Sequence, residues 1–283
     1  MTADRVRVVT DSTSCLRADL VAGHHIEIVP LRVTLGSHTA VDGVDVTADD
    51  LALALREKMP VSTSRPSPAE FAAAYRRLLD DGATHVVSVH LSAALSGTWE
   101  SAVLAAQDFP HGVVRVVDSR STAMALGFAV LAAATRAADG ASAAQVQEAA
   151  TTTVDATRTL FYVDTLEYLR RGGRIGTAAA LLGTTLAVKP LLHLVEGQIV
   201  ALEKVRTSAK AVARLVDLTV RTAADGAVDL AVHHVGAAGR AAAVTDQLRA
   251  ALPKIGECYV SELGPVVGAH LGPGALGTVV VRR

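Results

Sequence analysis

A lone imidazole, His270, sits inside the glycine-rich stretch GPVVGAHLGPGALG (Gly264–Gly277), which carries no other titratable side chain. Two turns rich in hydroxyls lie far upstream, Thr63-Ser64 in VSTSRPSP and Ser96-Gly97-Thr98 in LSGTWESA. Hydroxyls at helix starts sit beside unpaired N–H groups and the positive end of the helix dipole, a setting that suits an anion. Ordinary N-capping uses the same residue types. Two such turns at strand-to-helix junctions of one parallel sheet would share the edge where these folds bind ligands. His270 would then complete a small cage for a carboxylate or a phosphate. The glycines around it would permit close backbone approach, in a set of tight turns before a last strand, Thr278–Val281.

Other chemistries compete for the same residues. Ser96, His270 and Asp118 could form a hydrolytic triad, which is recognised by geometry rather than by spacing. The GxSxG nucleophile elbow is incomplete, however, because AALSGT lacks its first glycine. GPGALG (Gly272–Gly277) matches GxGxxG, but TVVVRR follows it, with neither a helix nor an acidic residue, so the dinucleotide reading fails. The close histidine pairs His24-His25, His85/His90 and His233-His234 lack the HExxH arrangement and nearby cysteines, so no metal site is expected. Adjacent histidines on a strand point to opposite faces, which puts His233-His234 part in the core and part at the surface. The basic stretches RRGGRIG (Arg170–Gly176) and EKVRT (Glu203–Thr207) read as solvated turns, or as contacts for a phosphate-bearing partner.

The elements that must position these residues follow from pattern. RVRVVT, THVVSVHL and VVRVV read as strands, each followed by a helical stretch, and this alternation implies crossover units and a parallel sheet. IEIVPLRVTL reads as a further extended stretch, and Thr47 caps a helix through Lys58. Ser67, Pro68 and Glu70 in SPAEF supply an N-cap, a first-turn proline and a capping-box partner. From about Thr159 a second unit begins. TLFYV is a strand, DTLEYLRRGGRIG a short helix stopped by Gly172-Gly173, and LLHLVEGQIVALEKVR a hairpin around Glu196-Gly197-Gln198. The expected domains are 1–155 and 156–283. The expected fold is α/β, with an N-terminal parallel sheet flanked by helices and a C-terminal domain carrying a mixed sheet.

Composition narrows the function. The chain has 283 residues, 50% hydrophobic and only 3% aromatic, so alanine, valine and leucine fill the core. Its formal net charge of −1 leaves no electrostatic footprint for nucleic acid. Cys15 and Cys258 alone make neither a disulfide framework nor a zinc site. The start has too short an apolar run for a signal peptide, and no apolar stretch is long enough to span a bilayer. A cytoplasmic protein is expected.

Taken in order, the motifs resemble the DegV family of fatty-acid-binding proteins. The likeness runs through VTDST (Val9–Thr13), TSRPSPAEF (Thr63–Phe71), LSGTWESA (Leu95–Ala102), VVDSRS (Val116–Ser121) and DTLEYLRRGGRIG (Asp164–Gly176). It continues through Lys189-Pro190 and EKVRT to the segment that opens at Ser261. The resemblance implies a long-chain acyl group in a tunnel between two α/β domains, with no cofactor and no metal. It also implies that Thr63 and Ser96 hold the carboxylate, with neighbouring Ser64 and Gly97, while His270 joins the polar network and Arg174 lies close to it. Members of the family are not enzymes; they present the acid to a separate fatty acid kinase for acyl phosphate formation in lipid metabolism. Arg206 is the implied kinase contact, and the role allows transient contact with a membrane surface. The chain departs from the family pattern at Arg65, usually glutamine, and at Ala269 and Leu271, which replace two threonines.

The physics of such a ligand divides the labour. At about 0.8 kcal/mol per buried methylene, a tail of some 14 methylenes contributes roughly 11 kcal/mol before ordering costs. Each charge-assisted hydrogen bond to the head group adds about 1.5–3 kcal/mol. The tail decides affinity, and the head decides register. The alternative function is a serine hydrolase or acyltransferase using Ser96 and His270 in the same pocket.

Overall fold

The computed structural model describes residues 5–181 and 188–283. In chain order the elements begin with β1 (Val6–Asp11), α1 (Ala18–Gly23), β2 (Glu27–Val29), β3 (Arg32–Leu35), β4 (His38–Val41) and α2 (Ala48–Arg56). They continue with β5 (Val61–Ser64), α3 (Pro68–Asp80), β6 (His85–His90), α4 (Thr98–Ala106), β7 (Val114–Asp118), α5 (Met124–Ala138) and α6 (Ala143–Ala156). Then come β8 (Thr157–Tyr162), α7 (Glu167–Gly172), β9 (Lys189–Val195), β10 (Gln198–Val205) and α8 (Ser208–Ala223). The last elements are β11 (Val228–His234), α9 (Ala238–Ala251), β12 (Ile255–Glu262), α10 (Pro265–Leu271) and β13 (Leu276–Arg282).

The chain divides into two compact units, 1–32 with 64–155, and 33–63 with 156–283. The first carries a four-stranded parallel sheet of order β2-β1-β6-β7. Its central strands β1 and β6 are buried on both faces, as in parallel sheets generally. Val8, Val87 and Val89 face a core shared with Leu126, Val130 and Val146 of α5 and α6. Val9 and Val86, one residue out of phase, face Phe71, Tyr75 and Ala102 of α3 and α4. The start of α3 is built as its sequence dictates. Ser67 Oγ accepts from Glu70 N, the Glu70 carboxylate accepts from Ser67 N, and Pro68 occupies the first turn.

The second unit holds a six-stranded mixed sheet, β10-β9-β8-β13-β11-β12, with α8 and α9 packed on it through Leu215, Ala241, Val244 and Leu248. β9 and β10 form the expected antiparallel hairpin. Its turn residues Glu196 and Gly197 both have positive φ, 46° and 77°, the pattern of the two-residue turn whose twist matches a hairpin.

Four expectations change. The segment 33–63, placed with the N-terminal half by a single boundary near 155, clusters with the second unit. Contacts to α10 account for this: Val266 N donates to Asp42 Oδ1 at 3.2 Å, and Leu51 of α2 fills the space beside Gly268. Thr63 does not sit at a strand-to-helix turn of the parallel sheet. It lies in β5, on the separate three-stranded sheet β4-β3-β5, four residues before the Ser67 cap. Residues 265–271, expected as turns, form α10, because Pro265 at the first position presets helical φ and one glycine in the run does not outweigh packing. His233 and His234 are both buried, 2% and 7% exposed, since β11 lies inside the sheet between β13 and β12.

Candidate functional site

The site starts from two short elements of the second unit. β5 delivers Thr63, and the last turn of α10 delivers His270. Thr63 Oγ1 and His270 Nε2 are 2.9 Å apart, a hydrogen bond between residues 207 positions apart in the chain. The other side of the imidazole rests on α7. A Cβ built on Gly172 would fall well inside van der Waals distance of His270 Nδ1, so the ring occupies the volume that any other residue would fill. Gly173, with φ 68°, ends α7 in the left-handed conformation that favours glycine. The doublet therefore has two separate jobs: Gly173 caps, and Gly172 makes room.

Charge is one-sided here. Arg174 Nη1 donates to Gly172 O at 2.6 Å and lies close enough to act on the imidazole. Burial, and then the Arg174 charge, push His270 down to about 4, so the ring is neutral at pH 7. Its Nδ1 is buried and has no hydrogen-bond partner among the described residues. Beside the pair is a pocket of about 470 Å³ whose lining, among the described residues, includes Lys58, Arg171, Arg174 and Ser62 but no carboxylate. Arg171 shares its charge with Glu167 one turn earlier. Leu55, Met59, Pro60 and Ala269 give the pocket an apolar wall. An anionic head on an apolar body matches this lining.

The remaining sequence-derived residues belong to other elements. Ser64, Ser96 and Gly97 belong to the first unit. Ser96 Oγ pairs with Thr98 Oγ1 at 2.9 Å and accepts from Thr98 N at 3.3 Å, an ordinary local turn. Gly97 is the N-cap of α4, and its carbonyl accepts from Arg65 Nη1 at 3.0 Å. Arg65 also pairs with Glu100 at 2.8 Å, so the charge that departs from the family pattern is partly neutralised on α4. Ser64 is exposed, and so is Arg206, between the end of β10 and the Thr207 cap of α8.

A triad on His270 lacks its orienting acid among the described residues, because Nδ1 has no hydrogen-bond partner there. Asp118 Oδ1 instead accepts from Arg120 N at 2.8 Å and Ala93 N at 3.2 Å. Among the described residues no group of three or more His, Cys, Asp or Glu could hold a metal ion. None of the described helices is long and apolar enough to cross a membrane.

Sequence reasoning missed Gly172, Lys58 and Tyr168 as parts of this pocket. The signal for Gly172 was present in the doublet, where one glycine suffices for a cap. It also missed a buried chain in the first unit: Asp11 Oδ2 to His90 Nδ1 at 3.0 Å, His90 Nε2 to Ser88 Oγ at 2.6 Å, and Ser88 Oγ to Tyr75 OH at 2.8 Å.

Known proteins of this architecture agree with the motif order. The family model described as "Uncharacterised protein, DegV family" matches residues 5–283. A DegV domain-containing protein of Streptomyces coelicolor is 51% identical, over 98% of this chain and 99% of its own length. A DegV family protein from Thermus thermophilus, whose structure is described as fatty acid binding, superposes with a TM-score of 0.94 at 37% identity, covering 99% of this chain and 100% of that one. DegV of Bacillus subtilis, described as a fatty acid binding protein, superposes with a TM-score of 0.90 at 32% identity over the same shares. With a family match along nearly its whole length, and with relatives this close, the chain belongs to the DegV family.

Proposed function

We propose that this protein binds a long-chain fatty acid, holds its carboxylate at Thr63 and His270, and offers it to a separate fatty acid kinase for acyl phosphate formation, without catalysing that reaction itself. The observation that carries the reading is the Thr63–His270 pair beside a pocket that, among the described residues, is lined with cations and free of carboxylates. The fatty-acid-binding relatives from Thermus thermophilus and Bacillus subtilis support the ligand class.

The chemistry runs through the tautomer. Among the described residues Nδ1 has no hydrogen-bond partner and the ring rests on Gly172, so the nitrogen that can use the ring proton is Nε2, which faces Thr63 Oγ1. The ring proton then sits on Nε2 and donates to Thr63 Oγ1. Thr63 keeps its own hydrogen for the carboxylate. His270 thus acts on the ligand through Thr63 and adds direct charge only when protonated. A bound carboxylate raises the imidazole pKa, so ligand and proton bind with positive coupling. Ser96 and Arg206 enter the reading through the family resemblance, as a second carboxylate hydroxyl and a kinase contact.

Mass spectrometry of organic extracts, with titration by cis-parinaric acid, tests the ligand. One long-chain acid per chain, or saturable binding of the probe, is expected; absence of both overturns the reading. Thr63→Ala and Ser96→Ala should lower binding modestly and kinase-dependent turnover further. Unchanged phosphorylation in the double variant refutes the head-group assignment. Turnover of a p-nitrophenyl ester that is lost in both His270→Gln and His270→Ala would convert the carrier into a hydrolase.

A further inference from the structure

Three contacts join residues 164–172 to residues 270–274, and each is built on a bare Cα. Asp164 Oδ2 occupies the space where Gly274 would carry a Cβ, the Tyr168 ring occupies that of Gly272, and the His270 ring occupies that of Gly172. The contact positions advance by four along the first segment and retreat by two along the second. Tyr168 and Gly172 therefore share one face of α7, with Asp164 just ahead of the helix. Gly272 and Gly274 have φ of 77° and 85°, so both conformation and space exclude a side chain at either.

The end of this ladder remote from His270 is anchored. Asp164 Oδ1 accepts from Tyr162 OH and from Lys189 Nζ at 2.9 Å, with Ser208 Oγ at 3.4 Å. Lys189 Nζ also donates to Asp164 O at 2.9 Å, and Arg240 Nη2 donates to Gly274 O at 2.9 Å. One carboxylate thus ties the end of β8, the start of β9, the first turn of α8 and the loop after α10. Burial would raise the Asp164 carboxyl, but the bonds from Tyr162 and Lys189 and the charges of Lys189 and Arg240 hold it below the usual range. It is ionised at pH 7 and keeps its partners. The proposed binding chemistry uses none of these residues.

We infer that Asp164, Lys189 and Tyr168 are positioning residues for His270: the anchored ladder fixes α7 against α10 and so holds the imidazole on Gly172, within reach of Thr63. The inference rests on the reading that Thr63 and His270 hold a carboxylate, but its first readout does not need a ligand.

The test follows the His270 imidazole by NMR in the full chain, with cis-parinaric acid binding and urea unfolding measured alongside. In Lys189→Met the His270 midpoint should move from about 4 toward the ordinary histidine range, and probe affinity should fall three- to tenfold. Lys189→Arg should restore both. Tyr168→Leu, which cuts the middle contact and leaves the anchor, should shift the midpoint in the same direction and serves if Lys189→Met does not fold. A midpoint unmoved in a folded variant overturns the inference, as does a shift that Lys189→Arg fails to restore. If His270→Ala binds the probe as the wild type does, the carboxylate reading fails instead, and the midpoint alone decides the ladder.

Discussion

His90 and His270 make the most informative contrast in this molecule, because each has a hydroxyl partner on Nε2 and they differ at Nδ1. His90, in the parallel-sheet unit, is fully buried, with Nδ1 on Asp11 and Nε2 on Ser88. The chain continues to Tyr75, and Asp11 also accepts from Thr13 and Leu91. Every polar atom of that imidazole is used, and none reaches solvent. Among the described residues His270 has one hydrogen-bond partner, a buried Nδ1 without one, and a cation-lined pocket beside it. An aspartate–histidine–serine sequence of contacts is saturated within the protein here, while the incomplete pair belongs to the proposed site. A saturated buried network holds loops in register; an unsaturated one has hydrogen-bonding capacity left for a ligand.

The contrast breaks most easily on stability. His90→Ala opens a cavity and strips a partner from Asp11 and Ser88, and should cost about 3 kcal/mol or more in urea unfolding. His270→Ala removes an imidazole with an unsatisfied nitrogen, and should change stability by less than about 1 kcal/mol. The reverse order would make His270 the structural histidine.

Binding should show the opposite ranking. Gly172→Ala improves helix preference by up to about 1 kcal/mol, yet its methyl group needs the space of the His270 ring. A roughly tenfold loss of cis-parinaric acid affinity is expected, about 1.4 kcal/mol. The double variant Gly172→Ala/His270→Ala should be no weaker than His270→Ala alone, since both changes remove the same contact. Additive losses would separate Gly172 from the imidazole.

Acid sharpens the comparison further. An imidazole titrates near 6.5 in the unfolded chain, whereas burial and Arg174 hold His270 at about 4 in the folded one. Between those values the unfolded chain binds the extra proton. The contribution is complete above pH 6.5 and is lost as pH falls toward 4. His233, pushed to about 4 by burial, contributes to the same limb. His270→Gln should make the fall in stability across this window shallower without abolishing it, as followed by unfolding at stepped pH. A bound carboxylate should narrow the window for the wild type.

The smallest effect is expected at the surface. Arg206→Ala should leave probe binding within twofold of wild type and, on the proposed role, lower the turnover of the bound acid by the partner kinase. Turnover unchanged across carrier concentrations makes Arg206 a solvated charge.

Local features were the legible ones. Ser67, Pro68 and Glu70 specify a helix start within four residues, and Glu196-Gly197 specify a turn within two, so short-range chemistry suffices. The placement of 33–63 was not legible, because Asp42, Leu51 and Thr63 find their partners more than 200 positions away. Nor was α10: the glycines in and around it suggested turns, while the reason for them lies in the contacts of Leu51 with Gly268, Tyr168 with Gly272 and Asp164 with Gly274. Periodicity reports the face an element buries, and it does not report which distant side chain needs a bare Cα. Thr63, His270 and Arg174 were named from the sequence and do come together, whereas the residue that seats the ring, Gly172, was read only as a stop.

The central claim is that the Thr63–His270 pair holds the head group of a long-chain acid. Its most direct test is ¹³C NMR of [1-¹³C]palmitic acid bound to the wild type, Thr63→Val and His270→Gln. The account predicts one bound carboxyl resonance per chain, displaced in both variants, with the largest displacement in Thr63→Val. A bound carboxyl resonance that is the same in all three proteins would contradict it.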